Sequence, residues 1–345
     1  MSHLWIISEG SPGHVSQSAG LAAAIGEKLP VHVRQFETRP RLKGFMRTWI
    51  RQIWMGKKGR ALPDWMLDKV LRLERPQPGE AKPDLIISSG GRSVFAARSL
   101  SVKHGIPFVF LGERKPYPPD WFHTVFTPSS LETSQNDLRM DVIPTKITPS
   151  IVKEAAANWA ERPSGRLWTM LIGGSSRSHD FKDSDWEKLA AGMIEQSRRE
   201  GIRWLVTTSR RTGMELEARI RGLLPPDIVA DAVWWCHQPE KRFAAYLGAA
   251  ESIWVTQDSV SMVTEAVAAG KPVVVVYPKN TPFPATSFMP GYLANLEQLG
   301  LISRVPMDQT ASYKPAPTTA SRKAITTSGL AEIALQRLGW AELKK

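Results

Sequence analysis

Residues 254–278, WVTQDSVSMVTEAVAAGKPVVVVYP, decide the fold class of this 345-residue chain. The apolar run 252–256 predicts a short strand, and apolar residues at helical spacing after Asp258 predict a helix. Gly270 ends that helix, and residues 272–277 form a valine-rich run typical of parallel strands that are buried on both faces. Because a strand, a helix and a buried strand follow one another directly, we predict a parallel α/β sheet.

The start of this helix also has the chemistry of an anion site. Asp258, Ser261 and Glu265 are three and four residues apart, so they share one helix face. The amino-terminal end of a helix carries partial positive charge and unpaired N–H groups, which suit a diphosphate. Glu265, two turns further on, is placed to bind two hydroxyls of a ribose. In the simpler alternative, Asp258 and Ser259 only cap the helix and Glu265 faces solvent.

Strands and helices alternate through both halves of the chain. In the first half we predict strands at residues 4–8, 31–36, 84–89, 107–111, 123–126 and 140–143. In the second half we predict strands at residues 167–172, 202–207, 229–235, 252–256 and 272–277. Residues 144–165 lack strong apolar periodicity and are predicted to be a linker. Two α/β halves and a final helix predict two facing Rossmann-like domains, with the ligand-binding loops of both across one cleft.

The composition limits the partners of the chain. A formal net charge of +12 favours a polyanionic partner, and thirteen tryptophans favour a membrane–water interface. Cys236 is the only cysteine, so a disulfide framework is excluded and we expect a reducing compartment. We expect no signal peptide, because the first residues lack its long apolar core and cleavage site, and no membrane span, because no run approaches about eighteen apolar residues.

A basic and aromatic insert, residues 39–75, separates the second and third predicted strands. Between residues 34 and 60 nine lysines and arginines stand against one acid, Glu37. Apolar residues occur among them at helical intervals, namely Met46, Trp49, Ile50 and Ile53. A basic amphipathic helix with aromatic residues is typical of a helix that lies in a membrane interface. The alternative is a helix that packs on its own domain and exposes a solvated basic face.

Two loops of the second half follow predicted strands and carry candidates for donor binding. Paired glycines allow a backbone to approach a phosphate closely, serines can donate hydrogen bonds, and arginine neutralises charge. The alternatives are a plain strand-to-helix turn and a solvated arginine pair. The candidates in these two loops are Gly173, Gly174, Ser175, Arg177, Ser209, Arg210 and Arg211.

Two loops of the first half carry candidates for acceptor binding. His14 follows the first predicted strand, where a general base could face an acceptor hydroxyl, and histidine titrates near neutral pH. In the alternative reading His14 caps or packs its own helix. Gly90, Gly91 and Arg92 form a glycine-rich turn suited to an anionic acceptor.

Three other motifs are excluded or discounted. Asp183-Ser184-Asp185 matches the short D-x-D pattern of some metal-dependent glycosyltransferases, but Ser184 and Glu187 predict a capping box, so we expect no metal. The G-x-G-x-x-G pattern is absent after the first strand, which argues against a dehydrogenase. The phosphate-binding pattern of P-loop ATPases is absent as well.

Four motifs of the chain form a recognisable set: Pro12-Gly13-His14 with Gln17, Gly173-Gly174, Ser209-Arg210-Arg211-Thr212, and Thr256 with Asp258-Ser259-Val260-Ser261-Met262. As a set, these motifs resemble the mitochondrial fission ELM family, whose bacterial members look like putative GT-B glycosyltransferases of cell-envelope glycans. The resemblance implies a GT-B fold with an acceptor domain at residues 1–150, a nucleotide-sugar domain at 166–320, and a closing helix at 328–345 that crosses back. The chain departs from the family between residues 112 and 127 and in its basic insert.

The resemblance also implies residue roles. In the related enzyme that adds N-acetylglucosamine to the peptidoglycan lipid precursor, a Gly-His loop faces the acceptor and a helix glutamate holds the ribose, positions that here are His14 and Glu265. The further donor candidates are Asp258, Ser259, Ser261 and Met262. The acceptor candidates are Gly13, Gln17, Gly90, Gly91 and Arg92.

The predicted function is a metal-independent and cofactor-free sugar transfer at the cytoplasmic face of the inner membrane. The expected donor is a nucleotide diphosphate sugar, preferably a UDP-sugar, and the expected acceptor is lipid-linked, with the lipopolysaccharide or lipooligosaccharide core favoured. His14 would deprotonate the acceptor hydroxyl if transfer inverts the anomeric centre. Two alternatives remain open, a non-catalytic GT-B-like scaffold at a membrane and a nucleotide-sugar 2-epimerase. Nucleic acid is not expected, because the basic insert lacks a recognised binding motif.

Overall fold

The structure, a computed structural model, divides the chain into two compact units. Unit 1 comprises Met1–Lys146 and Ile325–Lys345, and unit 2 comprises Ile147–Ala324. The side chain of Trp54 lies outside the described part of the chain. The residues that the structure describes are 1–41, 43–56, 60–74, 76–77, 79–129, 134–176, 178–285, 287–314 and 324–340.

Each unit contains one parallel sheet, in which the described residues form six strands. The sheet of unit 1 has the order β2-β1-β3-β4-β5-β6, and the sheet of unit 2 has the order β12-β11-β10-β7-β8-β9. The strands are β1 Ser2–Ser8, β2 Val31–Glu37, β3 Leu85–Ser89, β4 Phe108–Leu111, β5 Thr124–Thr127, β6 Asp137–Arg139, β7 Leu167–Ile172, β8 Arg203–Thr208, β9 Val229–Val233, β10 Ser252–Thr256, β11 Val273–Tyr277 and β12 Ser303–Pro306.

Helices connect these strands, as expected for parallel strands that need a crossover. The chain continues from α2 into a π-helical segment, Ile50–Met55, and short 3₁₀ turns occur at Pro119–Trp121, Pro226–Ile228 and Met307–Gln309. The α-helices are α1 Pro12–Gly26, α2 Gly44–Trp49, α3 Asp64–Lys69, α4 Val94–His104, α5 Pro149–Ala157, α6 Asp183–Glu200, α7 Met214–Leu223, α8 Phe243–Ala249, α9 Val260–Ala268, α10 Met289–Gln298 and α11 Thr327–Arg337.

The α/β architecture predicted from residues 254–278 is confirmed. Strands β10 and β11 are parallel neighbours in the sheet, and α9 connects them. Gly270 has φ +72°, a left-handed conformation that glycine adopts without steric cost, and it follows the end of α9 as predicted. Ser259 is the helix cap, since its side chain accepts a hydrogen bond from the Met262 N–H.

The predicted strand at 140–143 is wrong, because the strand at this edge is β6. Met140 and Ile143 are buried but outside the sheet, so apolar character alone misplaced the strand. The buried residue of β6 is Asp137, whose carboxylate accepts hydrogen bonds from the buried Arg114 Nε at 2.8 Å and Nη2 at 2.9 Å. A strand whose inward side chain is a paired carboxylate gives no hydrophobic signal.

Helix α5 occupies much of the segment predicted to be a linker. Thr148 caps it by accepting a hydrogen bond from the Ile151 N–H at 3.2 Å, and it packs on α8. Only Val152 and Ala156 of this helix are buried, which explains the weak apolar periodicity of the sequence. Strand β12 was not predicted either, and it pairs with β11 at the opposite edge of the sheet from β9.

The final helix, α11, returns to unit 1. It begins at Thr327 and packs on α1, and the Lys28 ammonium lies 2.7 Å from the Glu332 carboxylate. The helix predicted at 328–345 therefore ends earlier, at Arg337, while residues 341–345 lie outside the described part. The return of a carboxyl-terminal helix to the first unit is the feature expected of the GT-B fold.

Much of the tryptophan content is used in the cores. Trp168 stacks on Trp254 at 5.9 Å between ring centroids, and both meet Trp204 edge-on. These three rings fill the space between the sheet of unit 2 and its helices. Trp5 and Trp121 are buried in unit 1 in the same way. The number of tryptophans is therefore not in itself a membrane signal.

None of the helices in the described ranges has both the length and the apolar character needed to cross a bilayer.

Replacing Gly248 by alanine should destabilise unit 2 by about 1–3 kcal/mol, because the added Cβ would overlap the Val152 carbonyl where α8 meets α5. Gly222 in α7 is the matched control, since its Cβ would meet no atom within 4 Å and alanine is the better helix former. Urea denaturation followed by circular dichroism measures both variants. An unchanged midpoint for Gly248→Ala would contradict the close packing of these helices.

Candidate functional site

The three loops predicted to bind the donor meet at one edge of unit 2. They follow β7, β8 and β10, which are neighbours in the sheet, and the carboxyl ends of parallel strands share an edge. Their contacts are direct: Gly173 N–H donates to Thr256 Oγ1 at 2.7 Å, and Thr212 Oγ1 donates to the Gly173 carbonyl. The sequence-based grouping of these loops therefore corresponds to a real cluster.

A buried carboxylate holds the cluster together. The Asp258 side chain has no exposed surface, and its Oδ2 accepts hydrogen bonds from Gly174 N–H at 3.1 Å and Arg211 Nη2 at 2.8 Å. A Cβ on Gly173 would overlap this carboxylate, and a Cβ on Gly174 would overlap the Arg211 carbonyl. We call Gly173, Gly174, Arg211 and Asp258 the clasp. Its two glycines are needed so that three loops can approach one another.

Asp258 is placed to support the loops rather than to cap α9. Burial raises its pKa and outweighs the opposing effects of Thr256, Arg211 and Gly174. Its second oxygen, Oδ1, is buried and has no hydrogen-bond partner among the residues described. The residue that caps α9 is Ser259, not Asp258.

The remaining candidates of the β7 and β8 loops are more accessible. Ser175 and Arg210 are exposed, and the Arg210 guanidinium has no ion pair or hydrogen bond to the described residues. Ser209 stays in the turn, where its hydroxyl accepts from the Arg211 N–H at 3.2 Å. Arg177 lies outside the described residues. Among the described residues of these two loops, Arg210 is therefore a cation that remains available to a ligand.

Glu265 lies on α9, four residues after Ser261, and the two share a helix face. Its side chain is partly buried, and no hydrogen bond or ion pair joins it to any described residue. Burial raises its pKa to about 7. Met262 lies in the first turn of the same helix, partly buried, and Ser261 Oγ is 3.3 Å from Ser259 Oγ. A desolvated carboxyl without a protein partner is stabilised by a ligand that donates hydrogen bonds to it.

A second polar network beside the clasp has no counterpart in the sequence-based prediction. Gln257 Nε2 lies 3.0 Å from His179 Nε2, and Gln257 Oε1 accepts from Arg304 Nη2 at 2.8 Å. Burial, and secondarily the charge of Arg211, lowers the pKa of His179 to about 4, so this ring is neutral at physiological pH. The network holds the end of the 173–179 loop against β10 and β12. The distant partner Arg304 has no motif that would reveal it in sequence.

A third cluster, also missed in the sequence, joins α7 to the loop after β9. The buried Glu217 carboxylate accepts from Cys236 N–H at 2.8 Å and from the Thr208 hydroxyl, and it lies 2.8 Å from His237 Nδ1. Burial opposes ionisation of Glu217, but these hydrogen bonds prevail and lower its pKa. The cluster fixes the turn at 234–237 close to Ser209.

In unit 1 the structure brings together the two predicted acceptor loops, which follow the neighbouring strands β1 and β3. His14 Nδ1 lies 2.8 Å from Glu9 Oε1, and Glu9 Oε2 accepts from the Arg92 N–H at 3.1 Å. Burial opposes ionisation of Glu9, but His14 and Arg92 lower its pKa below the ordinary value. His14 is thus oriented by a carboxylate, with Nε2 left for a ligand. Glu9, five residues earlier at the end of β1, was not predicted as a site residue, although it stands in the same loop as His14.

Gly90 makes this pair possible. Its φ is +86°, and an added Cβ would overlap His14 Nδ1 and Glu9 Oε1. Its neighbour Gly91 accepts a hydrogen bond from Tyr117 Oη at 2.8 Å.

The remaining acceptor candidates surround the histidine. Gly13 and Gln17 are partly exposed in α1, and Arg92 is exposed at the start of the second loop.

The described residues contain no group of three or more His, Cys, Asp or Glu side chains able to hold a metal ion. Within the D-x-D pattern, Asp185 accepts from the Lys182 N–H at 2.9 Å and so caps α6, and Asp183 pairs with Arg219. The predicted capping box of Ser184 and Glu187 is wrong, because the N-cap of α6 is Lys182, two residues before Ser184, and the N3 residue is Asp185.

The pKa of Glu265 predicts how stability responds to pH. Its folded-state pKa is about 7 against an ordinary 4.5, so the folded chain binds the extra proton between these values and loses stability as pH rises through them. Relative to Glu265→Gln, which does not titrate, the wild type should lose up to about 3 kcal/mol of unfolding free energy across this window. Denaturation midpoints at stepped pH test this. Parallel profiles for both proteins would contradict the burial of this carboxyl.

Solved structures similar to this chain share its fold at low sequence identity. A putative UDP-N-acetylglucosamine 2-epimerase from Listeria monocytogenes is 12% identical, with 99% of this chain and 98% of that chain covered and a TM-score of 0.55. The UDP-GlcNAc 2-epimerase from Neisseria meningitidis, bound to UDP-GlcNAc, is 13% identical, with 98% and 99% covered and a TM-score of 0.52. The enzyme from Methanocaldococcus jannaschii, in complex with UDP-GlcNAc and UDP, is 12% identical, with 97% and 99% covered and a TM-score of 0.52.

No curated protein matches the sequence. The sequence model described as mitochondrial fission ELM1 matches residues 12–325. This range includes the predicted donor loops and all the predicted acceptor residues. The chain, which has the GT-B fold, therefore belongs to the mitochondrial fission ELM1 family.

Proposed function

We propose that this protein is a glycosyltransferase that moves a sugar from a nucleotide diphosphate sugar to a hydroxyl of a membrane-associated, cell-envelope acceptor. The observation that carries the proposal is Glu265, a desolvated carboxyl with no protein partner in the described chain. It lies on the helix that begins directly after the clasp. The vicinal hydroxyls of a ribose supply two donors for such a carboxylate.

The surroundings of Glu265 favour a diphosphate next to that ribose. The amino-terminal N–H groups of α9 and the exposed Arg210 guanidinium both attract anions. That similar folds hold UDP-GlcNAc supports a UDP-sugar as the donor for this chain.

In the proposed reaction a bond forms between the anomeric carbon and the acceptor oxygen, while the bond from that carbon to the diphosphate oxygen breaks. The diphosphate leaves with the bonding electron pair, and its charge is stabilised by Arg210 and the start of α9. His14 Nε2 takes the proton of the acceptor hydroxyl, since Nδ1 faces Glu9. Direct displacement inverts the anomeric centre. No metal and no cofactor is assigned a role.

The acceptor class rests on charge. A chain with a formal net charge of +12 is attracted to phosphorylated, lipid-linked glycans such as a lipopolysaccharide or lipooligosaccharide core. We therefore assign the protein to the cytoplasmic face of the inner membrane. Gly13, Gln17, Gly90, Gly91 and Arg92 are the residues we assign to the acceptor.

A nucleotide-sugar 2-epimerase is the second candidate, because the three similar structures described above are two UDP-GlcNAc 2-epimerases and one protein described as a putative 2-epimerase. The two activities differ in what they consume. An epimerase converts UDP-GlcNAc to an isomeric sugar nucleotide without an acceptor, whereas a transferase releases UDP only when an acceptor is present. Chromatography of the nucleotide products with and without a lipopolysaccharide acceptor separates them.

Glu265→Ala should weaken the binding of the nucleoside diphosphate about 10- to 100-fold, because hydrogen bonds to a charged group are lost. Glu195→Ala is the matched control, since Glu195 is an exposed glutamate on α6 of the same unit. Calorimetric titration with UDP, GDP, ADP and CMP measures both variants. Equal affinity of Glu265→Ala and the wild type for the best ligand would remove Glu265 from the site, and binding of none of the four by the wild type would favour the scaffold alternative.

His14→Ala should lower kcat about 10²- to 10⁴-fold with nucleotide binding intact, because the general base is lost. Glu9→Gln should lower kcat less and should change its pH profile, since Glu9 acts by orienting His14. His32→Ala, which removes an exposed histidine on β2, is the control. Steady-state kinetics measure kcat of each variant as a function of pH. Full turnover by His14→Ala would exclude His14 as the general base.

A further inference from the structure

The basic insert of unit 1 exposes an apolar surface. Phe45 is 73% exposed, Trp49 45%, Ile53 68% and Trp65 56%. We call these four side chains the insert surface. They lie within 21 consecutive residues, and exposing so much large apolar area in one short stretch is costly in water.

The geometry of the chain keeps three of these side chains on one side. Phe45, Trp49 and Ile53 are spaced by four residues across the junction of α2 and the π-helical segment. Four residues overshoot a full turn of an α-helix and fall short of a full turn of a π-helix, so the two deviations offset each other. The three residues therefore form a line along the outer face.

The opposite face of the same segment is buried in unit 1. Ile50 and Met55 have 0% and 2% exposure and belong to the core that also contains Leu62 and Met66. The sequence predicted one amphipathic helix whose apolar residues, including Ile50 and Ile53, share a face. In the structure these residues lie on two faces, because Ile50 is buried and Ile53 is exposed. The domain-packing alternative explains the inner face, whereas the large apolar side chains of the outer face are exposed.

Large apolar side chains are otherwise exposed only singly in the described chain. The exposed ones outside the insert are Met1, Val33, Ile151 and Met214. Isolated exposures of this kind are normal for a folded protein and need no partner. The insert surface differs from these sites because four exposed large apolar side chains lie close together in the sequence.

Unpaired positive charge accompanies the insert surface. Five lysines and arginines of the insert form no ion pair with any acid among the described residues. The neighbouring Arg39, in contrast, pairs with Glu37 at 2.9 Å. The acid Asp64, next to Trp65, is already paired with Lys103 at 2.7 Å. The unpaired residues are Arg41, Lys43, Arg47, Arg51 and Arg60.

We propose that the insert surface docks on an anionic phospholipid bilayer, with its aromatic and aliphatic side chains at the boundary of headgroups and acyl chains. Aromatic rings and long basic side chains with apolar stems suit this boundary. Charge complementarity selects anionic lipid, because five basic residues occur in the same stretch of sequence as the apolar line and none of them forms an ion pair with an acid in the described ranges. The inference goes beyond the proposed function, since it depends on no sugar chemistry.

The full-length protein without nucleotide should co-sediment with vesicles of phosphatidylglycerol and phosphatidylcholine, and much less with phosphatidylcholine alone. Phe45→Ser with Ile53→Ser should weaken binding at least about tenfold at low salt, because two inserting side chains are lost. Ile151→Ser with Met214→Ser is the matched apolar control, and it should bind like the wild type.

A second pair of variants tests the contribution of positive charge to vesicle binding. Arg41→Gln with Lys43→Gln should weaken binding to anionic vesicles about tenfold or more and should reduce its dependence on salt. Lys153→Gln with Lys241→Gln, which removes exposed lysines of unit 2, should have little effect.

Three results would overturn this inference: equal binding to neutral and anionic vesicles, unchanged binding of the Phe45 and Ile53 variant, or vesicle-free dimers that this variant converts to monomers. The last result would make the surface an interface between copies of the chain. Circular dichroism confirms the folding of each variant. Nucleotide titration on the same preparations is independent of lipid, so failure of the docking inference and failure of the proposed function are distinguishable.

Discussion

The buried carboxylate of Asp258 is the interaction on which the candidate donor site depends. It occupies the space that a Cβ on Gly173 would need, and it joins the Gly174 N–H to the Arg211 guanidinium. The loops after β7, β8 and β10 are therefore fixed to one another before any ligand binds. Preorganisation of this kind is what a site for a charged leaving group requires, because no loop must reorganise during transfer.

The clasp also separates the roles of neighbouring residues that look equivalent in sequence. Of the two adjacent arginines, Arg211 is committed to Asp258, while Arg210 is exposed and unpaired within the described residues. The position of α9 follows from the clasp, because its cap Ser259 comes directly after Asp258. Glu265 is then carried to its desolvated position two turns along a rigid helix.

Local sequence rules predicted the architecture and the grouping of the loops, because strand ends in a parallel sheet define one edge. They failed where chemistry overrides hydrophobic pattern. Strand β6 was missed because its buried residue, Asp137, is a paired carboxylate. His179 and Arg304 were missed because their link runs through Gln257 between segments distant in sequence. Glu9 lies five residues before His14 in the same loop, so its contact with His14 was predictable from the sequence. The packing of the insert on two faces depends on the π-helical segment, which no periodicity rule predicts.

The central claim is that Glu265 binds the ribose of a nucleotide, and a thermodynamic cycle tests it most directly. Calorimetry should compare the best-binding nucleoside diphosphate with its 2′,3′-dideoxy analogue on the wild type and on Glu265→Ala. The wild type should prefer the natural ribose by about tenfold or more, and the variant should lose that preference. If the wild type binds both ligands equally, or the variant keeps the preference, Glu265 does not hold the ribose.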